Sequence, residues 1–218
     1  PCNWRESMVE KELCLPKFAS ENQYVVHDCF VPFPDYARDI HFDAIVLTQT
    51  FLSKRQDPDY FKQILDQYGF VGKSTAFKVA LPQDDYTCSA ILDRWMVDWC
   101  VDVVFPVCVN DWEVLYPKYS QYGLLFQGFT GYISDNLIDS ANALKPIPKR
   151  TIDVSYRAAF HGYTIGRMGL IKNEFGSLFS SRAQGAGLHM DISTKPGDMI
   201  LGAKWYDFVE NSKCMLGV

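Results

Sequence analysis

What this 218-residue chain lacks narrows its chemistry first. No apolar run approaches the ~20 residues that a bilayer-spanning helix needs, and the opening residues carry no signal-peptide pattern. The four histidines (His27, His41, His161, His189) lie far apart, with no His-x-x-x-His and no Cys/His cluster, so no metal site is expected. A Gly-x-Ser-x-Gly elbow is missing as well. The seven cysteines never fall as Cys-x-x-Cys. Scattered, odd in number and mostly within apolar runs, they read as reduced core thiols of a cytoplasmic protein. A net charge of −5 disfavours broad binding to nucleic acid or an anionic membrane, while leaving room for a local basic pocket.

The chain does have the makings of a globular α/β protein. Hydrophobic residues make up 48% and charged residues 22%, as in ordinary soluble domains, and 15% aromatics fit a generous core. The length allows one large domain or two small ones. Helix-type and strand-type segments alternate almost throughout. In the first half, helices are expected at Arg5–Phe18, from Pro58, from about Tyr86 to Trp99, and at Asp111–Tyr116. Strands are expected at Tyr24–Val31, Phe42–Thr48, Phe77–Leu81, Val101–Val107 and Gly123–Phe126. The second half repeats the logic: strand Ile152–Tyr156, helix Thr164–Ala183, strand Leu188–Ile192, helix Met199–Asn211 and strand Lys213–Val218.

Such alternation predicts parallel sheets flanked by helices. The boundaries read as a first domain over 1–133, a proline-bearing linker over 134–150 and a second domain over 151–218. The chain begins at Pro1 and stops inside the strand-like run Leu216-Gly217-Val218, so it reads as a piece of a longer polypeptide.

Ligands of open parallel sheets lie beyond the carboxyl ends of the strands. Two places there carry chemistry. Asp84 and Asp85, in the stretch Gln83-Asp84-Asp85-Tyr86, come just after the strand ending at Leu81; one can act as general base towards a hydroxyl, or either can simply cap the next helix. Arg157, ending the strand from Thr151, stands before a Gly-containing loop with His161 and a helix carrying Arg167 and Lys172. Helix N-terminal N–H groups with such cations make an anion cradle. The alternative is a set of solvated charges, with Arg157 paired to Asp153. Two further motifs read as structural. Gly72-Lys73-Ser74-Thr75 lacks the first P-loop glycine, Gln67 standing there, and reads as a turn. Asp57-Pro58-Asp59 reads as a helix cap and not as a metal-binding Asp-x-Asp.

The segments Arg150-Thr-Ile-Asp-Val-Ser-Tyr-Arg157, Gly166-Arg167, Asp191-Ile192-Ser193 and Trp205 to Gly217 resemble the opening of a glycosyltransferase nucleotide-sugar domain. Phe42 to Thr48, Lys78 to Tyr86 and Thr130 to Ile133 are similar to the acceptor-side domain of the same GT-B-type enzymes of bacterial polysaccharide and spore-coat-like biosynthesis. The resemblance implies two Rossmann-like lobes facing across a cleft, the second incomplete. It implies a nucleotide-diphosphate sugar as donor, a glycan or small-molecule hydroxyl as acceptor, and no metal or other cofactor. The resemblance implies that an arginine and a lysine neutralise the departing diphosphate, the candidate positions being Arg157, Arg167 and Lys172 with the choice among them open, and acceptor positioning falls to Asp84 or Asp85. The family's acidic residue and its ribose- and base-contacting segments normally come later in the second domain. The competing class is a non-catalytic sugar- or nucleotide-binding α/β module.

Overall fold

A computed structural model describes residues 6–129, 131–160 and 166–217. The chain divides into two compact units, Lys11–Tyr132 and a second made of Ile133–Val218 with the residues up to Glu10. Each unit carries its own all-parallel sheet, so the protein is mixed α/β with two sheets, of four and three strands.

Short helices α1 (Glu6–Glu12) and α2 (Cys14–Phe18) open the chain. The first sheet then builds in strict succession. Strand β1 (Ala44–Leu47) leads through α3 (Gln49–Leu52), α4 (Pro58–Gln67) and α5 (Gly69–Lys73) to β2 (Phe77–Ala80). Helix α6 (Ser89–Asp98), β3 (Val103–Val104), α7 (Trp112–Leu115) and β4 (Leu124–Leu125) complete it. The order is β1-β2-β3-β4, every pair parallel.

Local chemistry explains these elements. The Asp57 carboxylate accepts the Tyr60 amide at 3.1 Å while Pro58 takes the first helical position, so α4 starts where a cap and a pre-set φ coincide. Apolar residues at helical spacing make its inner face: Phe61, Ile64 and Tyr68 are buried and Leu65 is half-buried. Full burial of such side chains contributes roughly 1.5–3 kcal/mol each. Phe51, Trp95 and Trp99 join them, with the two indoles 5.5 Å apart. Gly72 and Lys73 lie within α5, which is helix and not a phosphate loop.

Three expectations need correction. Tyr24–Val31 forms no strand; Pro32 and Pro34 lack N–H groups, and the segment is held by side chains instead. The Tyr68 hydroxyl accepts His27 Nε2–H at 2.8 Å and donates to the Val31 carbonyl at 3.2 Å. Second, residues 134–150 include a helix, α8 (Asp135–Asn142), because Ser134 caps it by accepting the Leu137 amide. Third, the described cysteines are not core residues: Cys88, Cys100 and Cys214 are exposed, and Cys14, Cys29 and Cys108 half-buried.

In the second unit, β5 (Ile152–Arg157), α9 (Gly166–Arg182), β6 (Met190–Ser193), α10 (Ala203–Glu210) and β7 (Ser212–Met215) follow one another. The strand order is β6-β5-β7. The chain leaves the central strand for one side and returns to the other, which is the 2-1-3 opening of doubly wound sheets. Successive residues of a strand point to opposite faces. Tyr156 meets α9, its hydroxyl donating to the Lys172 carbonyl at 2.8 Å. Arg157 lies over Phe208 of α10, 4.8 Å from the ring centre. The two helices therefore cover opposite faces of the sheet. Among the described residues no helix is long and apolar enough to cross a membrane.

Candidate functional site

The carboxyl edges of the two sheets gather the residues with chemistry, and each unit has its own arrangement.

At the edge of the three-stranded sheet, Arg157 is engaged by the protein itself. Its Nη2 donates to Asp191 Oδ1 at 2.6 Å, and its Nη1 to the carbonyls of Tyr156 (3.0 Å) and Asp191 (3.1 Å). Its Nε donates to the Asp198 carbonyl at 3.2 Å. The side chain is only 15% exposed. Asp198 in turn accepts the Ser193 hydroxyl at 2.6 Å, so one arginine ties the ends of β5 and β6 to the loop before α10. The alternative of Arg157 paired with Asp153 does not hold. Strand alternation puts both on one face, but Asp153 lies near the amino end of β5. There it takes Lys213 Nζ at 2.6 Å and the His189 amide at 2.8 Å. These two donors hold the Asp153 carboxyl below its ordinary value, Lys213 contributing most.

Arg167 and Lys172 lie on α9. At ~100° per residue, Arg167 is about 160° round the helix from Gly169, which is buried with Gly176. Arg167 thus stands at the helix N-terminal turn, turned away from the sheet, and it is exposed. Lys172 is five residues on, ~140° round, and half-buried. No ion pair or hydrogen bond of either side chain occurs among the described residues. The helix approaches the sheet closely because Gly176 has no side chain: a Cβ there would lie 2.6 Å from Ile192 Cγ2. His161, the fourth residue expected here, lies outside the described residues.

At the edge of the four-stranded sheet the two adjacent acids separate. Asp85 is fully buried. Its carboxylate accepts the amides of Val107 (3.2 Å) and Cys108 (3.3 Å) and the Tyr116 hydroxyl (2.9 Å), tying the loop after β2 to the one after β3. Burial first, and then the Asp85 charge, push the Tyr116 hydroxyl far above its ordinary range, so it stays a donor. The same causes push the Cys108 thiol up to about 11. Asp84 is half-buried with a positive φ of 51°, and its carboxylate accepts the Tyr86 hydroxyl at 3.2 Å. Neither acid caps α6, whose first turn follows Cys88 with no side-chain cap.

Sequence reasoning missed Arg55, which is fully buried. Its guanidinium donates to the carbonyls of Leu52 (2.8 Å), Gln83 (2.8 Å), Asp84 (2.7 Å) and Thr87 (3.0 Å). Burial lowers its proton affinity, yet an arginine remains charged. Nothing in Ser53-Lys54-Arg55-Gln56 marks this residue as interior. Among the described residues no group of three or more His, Cys, Asp or Glu side chains is arranged to hold a metal ion.

No family model, no curated protein and no solved structure matches this chain.

Proposed function

We propose that the chain is part of a GT-B-type glycosyltransferase that moves a sugar from a nucleotide-diphosphate donor to a hydroxyl acceptor without a metal. The observation that carries the reading is the pair of all-parallel sheets. In the β6-β5-β7 sheet, the helix leaving the central strand bears Arg167 in its first turn. The donor diphosphate lies against the N-terminal turn of α9, where Arg167 and the free N–H groups meet its charge. Lys172, half-buried and farther along α9, adds positive charge. Arg157 is a positioning residue, since its donors are taken by Asp191, Asp198 and Tyr156.

On this reading Asp84 is the general base. As the acceptor oxygen bonds to the anomeric carbon, its proton passes to that base. The bond from that carbon to the phosphate oxygen breaks, and its electron pair leaves with the diphosphate. Fixed cations and N–H dipoles aimed at that growing charge supply most of the stabilisation. Asp85 has no part in contacting the acceptor, because it is fully buried and hydrogen-bonded.

The second reading is a non-catalytic sugar- or nucleotide-binding module. It is favoured by the engagement of Arg157 and the burial of Asp85, which remove two of the expected reactive groups. Titration calorimetry with a nucleoside diphosphate and with free sugars separates the two. Saturable diphosphate binding that Arg167→Ala abolishes supports the transferase. Binding of sugars alone supports the module, and no diphosphate heat at millimolar concentration removes the donor site.

A further inference from the structure

Arg55 and Asp85 are two fully buried charges that share one loop, Asp85 as a member of it and Arg55 from outside it, and no ion pair joins them among the described residues. Burying a charge is costly unless its hydrogen-bonding capacity is met. Both meet it with loop groups. Three of the four carbonyls that Arg55 holds, those of Gln83, Asp84 and Thr87, belong to the connection between β2 and α6. Asp85, inside that connection, holds the amides of Val107 and Cys108 and the Tyr116 hydroxyl from the loop and helix after β3. The Asp84 carbonyl also accepts the Thr87 amide at 2.9 Å and the Thr87 hydroxyl at 2.7 Å.

Loops at a carboxyl edge are usually among the more mobile parts of a fold. This one instead keeps Asp84 and Cys88 in the left-handed region, at φ of 51° and 52°, a conformation that is strained for non-glycine residues and persists only where the surroundings impose it. Arg55 holds the carbonyl of Asp84 itself and that of Thr87, the residue before Cys88. With the backbone locked, the Asp84 carboxylate is left half-exposed beside the Tyr86 hydroxyl.

We propose that Arg55 and Asp85 form a buried two-charge latch whose task is to position Asp84: the guanidinium fixes the Asp84 carbonyl while the neighbouring carboxylate anchors the loop to the next one. The catalytic consequence rests on the transferase reading given above, with Asp84 as the base. The latch itself is a property of the loop and is measurable without turnover.

The test uses the full chain and Arg55→Lys, which keeps the charge but offers a single compact head in place of a planar fork. Hydrogen exchange is read at the amides of Thr87, Val107 and Cys108, with the β5 amides as an internal reference. The latch predicts at least tenfold faster exchange at the three loop amides and none at β5. Transfer is then measured in wild type, R55K, D84N and the double variant. Expected are a roughly tenfold lower kcat in R55K with unchanged KM for the donor, and no further loss when R55K is added to D84N. Tyr116→Phe removes one Asp85 bond with little change in volume, and gives the same exchange signature at Val107 and Cys108 should R55K fold poorly.

Wild-type exchange at the loop amides in both variants overturns the latch. An equal loss of kcat from R55K in the presence and absence of Asp84 overturns the positioning role. If D84N turns over like wild type, the assignment of Asp84 as base is what fails, and if wild type binds no nucleoside diphosphate at millimolar concentration the transferase reading fails. Exchange then decides the latch alone.

Discussion

The guanidinium of Arg157 meets the carboxylate of Asp191 across two neighbouring strands at 2.6 Å, its remaining bonds going to three backbone carbonyls. A side chain so engaged holds the end of its sheet together and has little left to offer a ligand.

The arginines of this sheet should therefore divide by phenotype. Arg167→Ala, at an exposed helix position, should leave the denaturant midpoint within about 0.5 kcal/mol of wild type. It should abolish nucleoside-diphosphate binding and, if transfer occurs, slow it by about 10²–10³. Arg157→Ala should instead lower stability by about 1–3 kcal/mol, since it leaves Asp191 and three carbonyls short of a donor. Equal stability losses for the two variants would contradict the assignment. Urea titration and calorimetry on the same samples check both.

Helix α9 offers a test of packing against propensity. Gly176→Ala gains roughly 1 kcal/mol of intrinsic helix propensity. Its Cβ would sit 2.6 Å from Ile192 Cγ2 and 2.8 Å from Tyr156 Cδ1, and forced overpacking of this kind costs about 1–3 kcal/mol. The clash wins, so the variant should be less stable than wild type. Gly185→Ala is no control, because Gly185 has a φ of 84°; Gly197, with open space around its Cβ position and an ordinary φ, is a suitable one.

Acid should weaken the ion pair at the amino end of β5. The Asp153 carboxyl is held below its ordinary 3.8 by Lys213 and the His189 amide. A depressed carboxylate stabilises the fold above the unfolded value, and that contribution disappears as pH falls through the folded one. Lys213→Met should thus unfold earlier than wild type at pH 5–7, and the two urea curves should converge as pH falls below the lowered Asp153 value, which itself lies under 3.8. A gap of constant size across that range would show that Asp153 ionisation plays no part.

Thiol labelling reports on the Asp85 loop. With Cys108 pushed up to about 11 from the ordinary 9.0, its thiolate fraction near pH 8 is about a hundredfold below that of an unperturbed thiol. Iodoacetamide should modify the exposed Cys88 and Cys214 well before Cys108. Asp85→Asn should speed modification of Cys108, because it removes the neighbouring negative charge and loosens the loop. Mass spectrometry of timed digests distinguishes the sites.

Much of the architecture was legible along the chain. The apolar runs at Ala44–Leu47 and Phe77–Ala80 are strands, Asp57-Pro58 starts its helix, and Phe61, Ile64 and Tyr68 face inward. Tyr24–Val31 misled because its composition suits a strand while no neighbouring strand pairs with it. The candidate site was harder. Asp84 and Asp85 share a residue type and a place in the loop, yet one is buried and the other half-exposed. Arg157 looked as available as Arg167, and Arg55 gave no sign at all.

Alternation of strands and helices, helix caps and the parity of each strand position are written locally, because backbone geometry repeats over two or 3.6 residues and depends on near neighbours. The fates of the charges were settled only by folding. Asp191 and Asp198 lie 34 and 41 residues from Arg157, and the Gln83 carbonyl lies 28 residues from Arg55. A buried charge survives by what distant segments bring to it, and no local pattern records that supply.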